Sequence, residues 1–257
     1  MSLIFTYINK FGIIIASDSN LSTNTGNAGF GQKVFSIQYL NAGLSYSGSY
    51  KIDGRLADEW LTEFITGAVF LHVTIGDFVN ALSERLTAQM REDEFSAGTI
   101  IHIAGYQKVE NESHLEHWHI SNMALQGDGY YSKPENNFHH SNDFNSRTNE
   151  EHRKIIIALD RSSTDHQFYI NGFPPGRISA VHLKFTIDEA LNQIWANPGW
   201  NFRKPTNQFE SNTIVRLYFH LISELFKISD HNALYIGGDT QTFLIPTPQD
   251  LNKRNWA

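Results

Sequence analysis

Ser2 is the first side chain that could carry out chemistry, because removal of Met1 would make it the N-terminal residue. An α-amino group has a pKa of about 8, so a large fraction of it is neutral at physiological pH. Such an amine can accept the proton of the adjacent hydroxyl, and one residue then supplies both nucleophile and general base. Met-Ser is a common beginning, however, so an ordinary N-terminal serine is the default interpretation of this feature alone.

Histidines form a second group of side chains with chemical potential. His117 and His119, which closely follow His114, would share one face of a strand, so a metal-binding pair is one interpretation. A solvated strand face is the interpretation we favour, because polar side chains usually face water. His139 and His140 lie in a polar segment, and no third ligand with suitable spacing follows them. We therefore expect no metal and no cofactor.

The N-terminal part of the chain is predicted to form short strands. Residues 3–8 and 13–16 are rich in β-branched and aromatic side chains and flank a glycine-containing turn, which predicts a hairpin. Residues 19–32 have the composition of a loop. Residues 33–37 and 44–46 predict a further pair of strands. The sequence therefore holds Ser2 at the start of an extended segment.

Helical periodicity follows these strands. Apolar residues recur every four positions from Ile52 to Phe64, which predicts an amphipathic helix that follows closely after Gly48. Thr74 and Asp77 resemble a capping box, so a second helix is predicted to begin there and run to Met90. The remaining predictions are helices over 186–197 and 211–228, strands over 99–104, 117–123, 154–159, 166–170, 233–236 and 241–245, and a polar loop over 124–152.

The order of these elements indicates the fold class. Strands alternate with pairs of helices, which favours antiparallel sheets covered by helices over a doubly wound parallel sheet. We therefore predict an α+β fold of two stacked antiparallel sheets between helix layers. The sequence has no internal repeat and no low-complexity linker, so we expect one domain over residues 1–257 with an excursion at about 124–208.

Several short motifs recur in a recognisable order. Residues 2–19 contain a hydroxyl residue, a strand, a glycine turn and an apolar strand that ends in Ala-Ser-Asp-Ser. This segment resembles the beginning of proteasome β subunits and their bacterial relatives, with Ser2 in place of the catalytic threonine. Three later motifs resemble that family in the same order, and they lie at residues 33–37, 46–49 and 235–238. The likeness fails over much of 124–208.

The resemblance implies a fold and a chemistry. The fold would be that of the N-terminal-nucleophile (Ntn) hydrolases, a four-layer αββα sandwich of two antiparallel sheets flanked by helices. The reaction would be amide-bond hydrolysis through an acyl-enzyme on Ser2. Lys33 would be the cation that lowers the pKa of the nucleophile, and Asp18 would orient Lys33 by ion pairing.

The resemblance also implies roles for residues around the nucleophile. The backbone N–H of Ser47, in the turn with Gly48, would face the developing oxyanion. A helix that begins near Ser49 would add a favourable dipole. Asp230 would be a supporting acid. The residues implied to contact substrate are Ser45, Ser49 and Leu21.

Three residues depart from the family pattern. Ser2 stands where the family usually has threonine, although serine is chemically competent. Ser47 stands where glycine is usual, which affects the backbone geometry expected of the turn. Asp230 lies a few residues before the position where the family's acid is expected.

Composition excludes several other classes of function. Apolar residues make up 40% and charged residues 18% of the chain, as in ordinary globular proteins, and the net charge of −7 argues against nucleic acid as a partner. The sequence contains no cysteine, which excludes disulfides, thiolate metal sites and cysteine nucleophiles. It has no signal peptide and no apolar run that could cross a membrane, so we expect a cytoplasmic protein with no membrane partner.

Taken together, these features predict a peptidase or amidohydrolase that acts on a peptide or small amide substrate. By resemblance, a homo-oligomer is expected. Two alternatives stay open. One is a catalytically silent subunit with a structural role in assembly, and the other is a non-peptide acylase of the same fold.

Overall fold

A computed structural model of the chain describes residues 2–23, 26–67, 72–125, 131–142, 167–172, 176–227 and 236–252. These residues form antiparallel sheets together with helices, which confirms the predicted α+β class at this level. The elements in chain order are β1 Leu3–Asn9, β2 Gly12–Asp18, β3 Asn20–Thr23, β4 Gly26–Phe30, β5 Val34–Ile37, β6 Ala42–Ser47, β7 Lys51–Ile52, β8 Arg55–Leu56, α1 Ala57–Gly67, α2 Ile75–Gln89, α3 Glu92–Phe95, β9 Ile100–Val109, β10 Glu112–Leu125, β11 Tyr131–Asn142, β12 Gln167–Gly172, α4 Gly176–Ala196, α5 Gln208–Lys227, β13 Thr240–Pro246 and α6 Gln249–Asn252.

The first sheet contains the two N-terminal strands at its centre. Its order is β12-β1-β2-β13, and every neighbouring pair is antiparallel. The predicted hairpin is confirmed, with Asn9 opposite Gly12. Gly12 has φ +141°, and a Cβ there would lie 2.1 Å from the Ile245 carbonyl oxygen, so this turn requires glycine. All residues of β1 and β2 are buried, which fits strands covered on both faces.

The second sheet has the order β11-β10-β9-β6-β5 and is also antiparallel. The predicted pairing of residues 33–37 with 44–46 is confirmed as β5 with β6. The strands predicted at 99–104 and 117–123 are longer than expected and pair with each other as β9 and β10.

Three apolar clusters hold these elements together. The first joins α1 and α2 to one face of the second sheet, and includes Leu82 and Ile101. The second joins α5 and part of α4 to one face of the first sheet, and includes Phe5 and Phe219. The third contains Ile15 of β2 and Ala104 of β9, so it lies between the two sheets. Burial of these side chains is the main favourable contribution to folding.

Four predictions about element boundaries were wrong. Residues 19–32 are not a loop, since β3 and β4 pair there as a small hairpin. The helix after Gly48 begins only at Ala57, because β7 and β8 form first. Part of the expected loop over 124–152 is strand β11, and the helix predicted from Thr186 begins ten residues earlier at Gly176.

The described parts of the expected excursion belong to the main architecture. Strand β11 pairs with β10, and β12 pairs with β1, so each of the two sheets gains an edge strand from this region. The strand predicted at 154–159 and most of that at 233–236 lie outside the described residues. Among the described helices, none is long and apolar enough to cross a membrane.

Candidate active site

The Ser2 hydroxyl lies against the Lys33 ammonium inside the molecule. The distance from Lys33 Nζ to Ser2 Oγ is 2.5 Å, and Ser2 and Lys33 are only 6% and 2% exposed. Ser2 directly precedes β1, and Lys33 directly precedes β5 of the other sheet. Two residues that lie 31 positions apart in the sequence therefore meet where the two sheets face each other.

Lys33 Nζ has three hydrogen-bond acceptors around it. Besides Ser2 Oγ, it donates to Asp18 Oδ2 at 3.3 Å and to the backbone carbonyl of Asn20. An ammonium group has three N–H donors, so this set of acceptors matches its full capacity. The arrangement holds one N–H against the serine oxygen.

Asp18 is the last residue of β2 and is 2% exposed. Its carboxylate accepts hydrogen bonds from the backbone N–H groups of Leu3 at 2.9 Å, Asn20 at 3.2 Å and Gly237 at 3.4 Å. These bonds connect the carboxylate to the start of β1, to β3 and to the segment before β13. Asp18 therefore fixes both the lysine and the strand that carries Ser2.

Burial shifts the pKa of both charged groups. It raises the pKa of the Asp18 carboxyl, while the Lys33 ammonium and backbone N–H groups oppose that rise. It lowers the pKa of Lys33, and the nearby Asp18 carboxylate opposes that change. Both shifts arise because a low-dielectric interior disfavours charge. A lysine with a lowered pKa beside a hydroxyl is typical of functional sites.

The turn after β6 lies next to Ser2. The Ser47 hydroxyl donates to the Ser2 backbone carbonyl at 3.3 Å, and the Ser49 N–H donates to Thr99 Oγ1 at 3.4 Å. A Cβ on Gly48 would lie 2.3 Å from Thr99 Oγ1 and 2.8 Å from Thr99 Cα, so the backbone approaches β9 as only glycine allows. The turn is therefore fixed at the place where the sequence predicts oxyanion contacts.

The other predicted site residues are placed differently. Leu21 is partly exposed in β3 and adjoins Asn20, so it lies close to Lys33. Ser49 is 5% exposed and held in the turn. Ser45 is fully buried and lies opposite Val34 of β5 and His102 of β9. Asp230 lies outside the described residues. The helix expected near Ser49 begins at Ala57 instead, so its dipole does not start at this turn.

Gln241 supports the site and was not predicted from the sequence. Its Oε1 accepts hydrogen bonds from the backbone N–H groups of Lys33 at 2.7 Å and Val34 at 3.2 Å. Its Nε2 donates to the backbone carbonyl of Gly31 at 2.8 Å. It belongs to β13, about 200 residues away in the chain. No local motif indicates this clamp, because its function depends on the pairing of β13 with β2.

The prediction of a solvated histidine face was wrong. His117 is fully buried, His119 is partly buried, and both pack against the equally buried His102 of β9. The odd-numbered residues of β10 face the first sheet, and that sheet shields them from solvent. The expectation was wrong because it assumed that one face of β10 is exposed to solvent.

A surface cavity of about 660 Å³ lies beside α1 and α2. Its lining includes Arg55, Trp60 and Gln89, and none of the predicted site residues that the structure describes. Ser2 and Lys33 therefore do not lie in this cavity.

Comparison of the sequence with protein-family models gave no match. Comparison with curated proteins also gave no match.

Proposed function

We propose that the protein is an Ntn hydrolase, related to proteasome β subunits, that cleaves amide bonds with Ser2 as its nucleophile. The observation that carries this proposal is the 2.5 Å contact between Lys33 Nζ and Ser2 Oγ, with Asp18 bound to the same lysine. A structural serine at a chain terminus has no need for a buried ion pair beside it, since burying such a pair is costly.

The proposed reaction begins when removal of Met1 frees the α-amine of Ser2. As Ser2 Oγ attacks the amide carbonyl carbon, its proton passes to that amine and a C–O bond forms. The backbone N–H of Ser47 would stabilise the oxyanion. The C–N bond then breaks, and the leaving amine takes the proton. Water hydrolyses the resulting ester, which releases the acid and restores Ser2.

Lys33 would act in this sequence as a fixed positive charge. It donates to Ser2 Oγ, so it stabilises the negative charge that develops there when the hydroxyl loses its proton. Asp18 would act through Lys33 as a positioning residue. A peptidase or amidohydrolase is the activity this arrangement supports best.

The packing of the described elements supports the finer fold assignment. Helices α1 and α2 cover one sheet, α4 and α5 cover the other, and an apolar cluster joins the sheets. This order of layers is that of the αββα sandwich of Ntn hydrolases. By the same relationship we propose a homo-oligomer, which native mass spectrometry would measure.

The deciding experiment combines intact mass analysis with acylation by an activated ester or a β-lactone. We expect the purified chain to lack Met1 and to gain one acyl group, located on the peptide that begins with Ser2. Ser2→Ala should remain unlabelled and inactive on peptide and acyl-amide substrates, and Ser2→Thr should retain labelling. Ser96→Ala is a matched control, because Ser96 is exposed directly after α3 and should not affect labelling.

The same experiment separates the alternatives. Retained Met1, or equal labelling of the wild type and Ser2→Ala, would overturn the proposal and favour a silent assembly subunit. Labelling of Ser2 with turnover only of non-peptide amides would identify an acylase of the same fold.

A further inference from the structure

The three buried histidines form a compact group between the sheets. His102, His117 and His119 offer ligand atoms that all lie within 4.8 Å of one another. Their ring centroids are 4.7 to 5.1 Å apart, and the rings are inclined to each other by 73° to 90°.

The strand register explains why these side chains meet. His102 lies directly opposite His119 in the β9–β10 pair, and Ser45 lies opposite His102 in the β6–β9 pair. His117 is two residues from His119, so it shares the same face of β10. Directly paired residues on one face have Cβ atoms about 5 Å apart. A row of polar side chains therefore crosses three strands on the inner face of the second sheet.

The first sheet supplies two partners to this row. Thr6 Oγ1 forms a hydrogen bond with His102 Nδ1 at 3.1 Å, and the Tyr169 ring stacks on His117 with a centroid distance of 4.0 Å. Thr6 and Tyr169 are themselves opposite each other in the β1–β12 pair. When His102 Nδ1 carries the proton, it donates a hydrogen bond to Thr6 Oγ1, and Nε2 is the nitrogen of that tautomer that can bind a metal. Such an outer hydrogen bond is typical of metal-binding histidines.

Ser45 points to a ligand in this space. Its side chain is fully buried, and its hydroxyl has no hydrogen-bond partner among the described residues. A buried hydroxyl without a protein partner is costly, and a bound ion or water commonly provides the partner. Because Ser45 lies beside His102 on the same face, a water bound to a metal at the histidines would be within its reach.

We propose that His102, His117 and His119 bind a Zn²⁺ ion, with a water in the fourth position. Three neutral imidazoles and an open position are a ligand set that zinc accepts, and imidazole suits zinc better than it suits magnesium or calcium. Zn–N bonds of about 2.0 Å place tetrahedral nitrogens about 3.3 Å apart, so small side-chain rotations close the present group around the ion. Thr6, which contacts the group, lies four residues along β1 from Ser2, or about 13 Å, so the site is separate from the proposed nucleophile.

The test uses the full chain without a polyhistidine tag, stripped by a chelator and titrated with Zn²⁺ in a calorimeter. We expect one ion per chain and a higher midpoint of thermal unfolding with metal, because an ion that binds only the folded state stabilises it. Substitution of Co²⁺ should give the visible bands of a four-coordinate ion. The absence of one-to-one binding, or a six-coordinate Co²⁺ spectrum, would overturn the proposal.

Variants locate the site. His119 is only partly buried, so His119→Gln should fold and should weaken Zn²⁺ binding by a factor of about 100 or more. Thr6→Val should weaken it by a factor of about 10 to 100 through loss of the outer hydrogen bond. His114→Gln, on the same strand but outside the group, should bind as the wild type does. Unchanged affinity in both His119→Gln and Thr6→Val would show that the ion binds elsewhere.

Discussion

Opposite charges buried side by side stabilise a protein only while both are present. Asp18 and Lys33 are each about 2% exposed and 3.3 Å apart, and each also holds backbone partners. Their mutual attraction offsets the loss of hydration that burial imposes on each. The pair therefore couples the folding of β2 and β5 to the geometry around Ser2.

Replacing one member of this pair should be worse than replacing both. We expect Asp18→Asn and Lys33→Met each to lower the free energy of unfolding by about 3–5 kcal/mol, since each leaves an uncompensated buried charge. The double variant should lose less than either single variant, because it leaves no uncompensated buried charge. Denaturant unfolding of the four proteins measures this coupling, and strictly additive losses would contradict it.

The shape of Lys33 should matter as well as its charge. Lys33→Arg keeps the positive charge, but a planar guanidinium cannot reproduce three donors around one nitrogen. We expect this variant to fold and to lose acylation of Ser2 by a factor of at least about 100. The rate of acylation, followed by mass spectrometry, provides the measurement. A wild-type rate would mean that charge alone is sufficient.

At this scale the sequence predicted the members of the proposed catalytic group better than the residues that support them. Ser2, Asp18 and Lys33 lie within one N-terminal segment with a recognisable spacing, and the structure brings them together. Gln241 and His102 were not predicted because they reach their partners through strand pairing across the chain. Register of that kind has no local sequence signal.

Among the elements, the turn between β6 and β7 has a strict requirement for backbone shape. Gly48 approaches Thr99 so closely that a side chain there would displace β9 or the turn itself. We expect Gly48→Ala to reduce acylation of Ser2 by a factor of about 10 or more and to lower the unfolding midpoint.

Gly67 provides the matched control for this glycine. It ends α1, and a Cβ there would meet no atom of the described residues within 4 Å. Gly67→Ala should leave acylation unchanged and should stabilise the protein by up to about 1 kcal/mol, because alanine is the better helix former. Equal loss of activity in the two alanine variants would show that the Gly48 contact is not special.

An ion pair whose strength depends on pH links the segment before α5 to the first turn of that helix. Glu210 accepts two hydrogen bonds from Arg203, each at 2.6 Å, and the Thr206 N–H at 2.8 Å. The Arg203 guanidinium, followed by this backbone N–H, lowers the pKa of Glu210 from 4.5 to about 2. Because the folded-state pKa is the lower one, the stabilisation is complete above pH 4.5 and is lost as the pH falls toward 2.

Glu210→Gln should therefore differ from the wild type only where Glu210 is ionised. We expect the variant to unfold at a lower temperature at pH 6, and the difference to shrink steadily below pH 4.5. Thermal unfolding followed by circular dichroism across this range measures it. A difference that grows on acidification would reverse the sign and refute the assignment.

Helix and strand types were easier to predict than their ends. Thr74 and Asp77 form the predicted capping box, so the start of α2 could be read from two residues. The start of α4 at Gly176 has no such signal, and Thr186 with Glu189 imitates a cap inside the helix. Similarly, β3 and β4 are rich in polar residues and glycine, and their pairing overrides their loop-like composition.

In the molecule as a whole, the two sheets contribute different residues to the proposed sites. Ser2, Asp18 and Thr6 lie on or beside the first sheet, whose outer face is covered by α5. Lys33 and the histidines belong to the second sheet or adjoin it, and α1 and α2 cover its outer face. Both the proposed nucleophile and the proposed metal site therefore depend on how the sheets are aligned.

Because Ser2 adjoins the first sheet, substitutions that destabilise the two outer helix layers equally should affect the activity of Ser2 unequally. Phe219 of α5 packs against Phe5 of β1 with a ring-centroid distance of 4.3 Å, three residues from Ser2. Leu82 of α2 is fully buried in the other layer, in the cluster that joins α1 and α2 to the outer face of the second sheet. Phe219→Ala and Leu82→Ala should each destabilise the protein by about 3–5 kcal/mol, since each leaves a cavity.

Activity should separate these two variants although stability does not. At a temperature where both are folded, Phe219→Ala should slow acylation of Ser2, because a cavity behind β1 lets that strand shift relative to Lys33. Leu82→Ala should acylate at the wild-type rate, because the second sheet and its inner face lie between its cavity and the nucleophile. Equal slowing in both would mean that the site responds to global stability, and that the alignment of β1 is not held by α5.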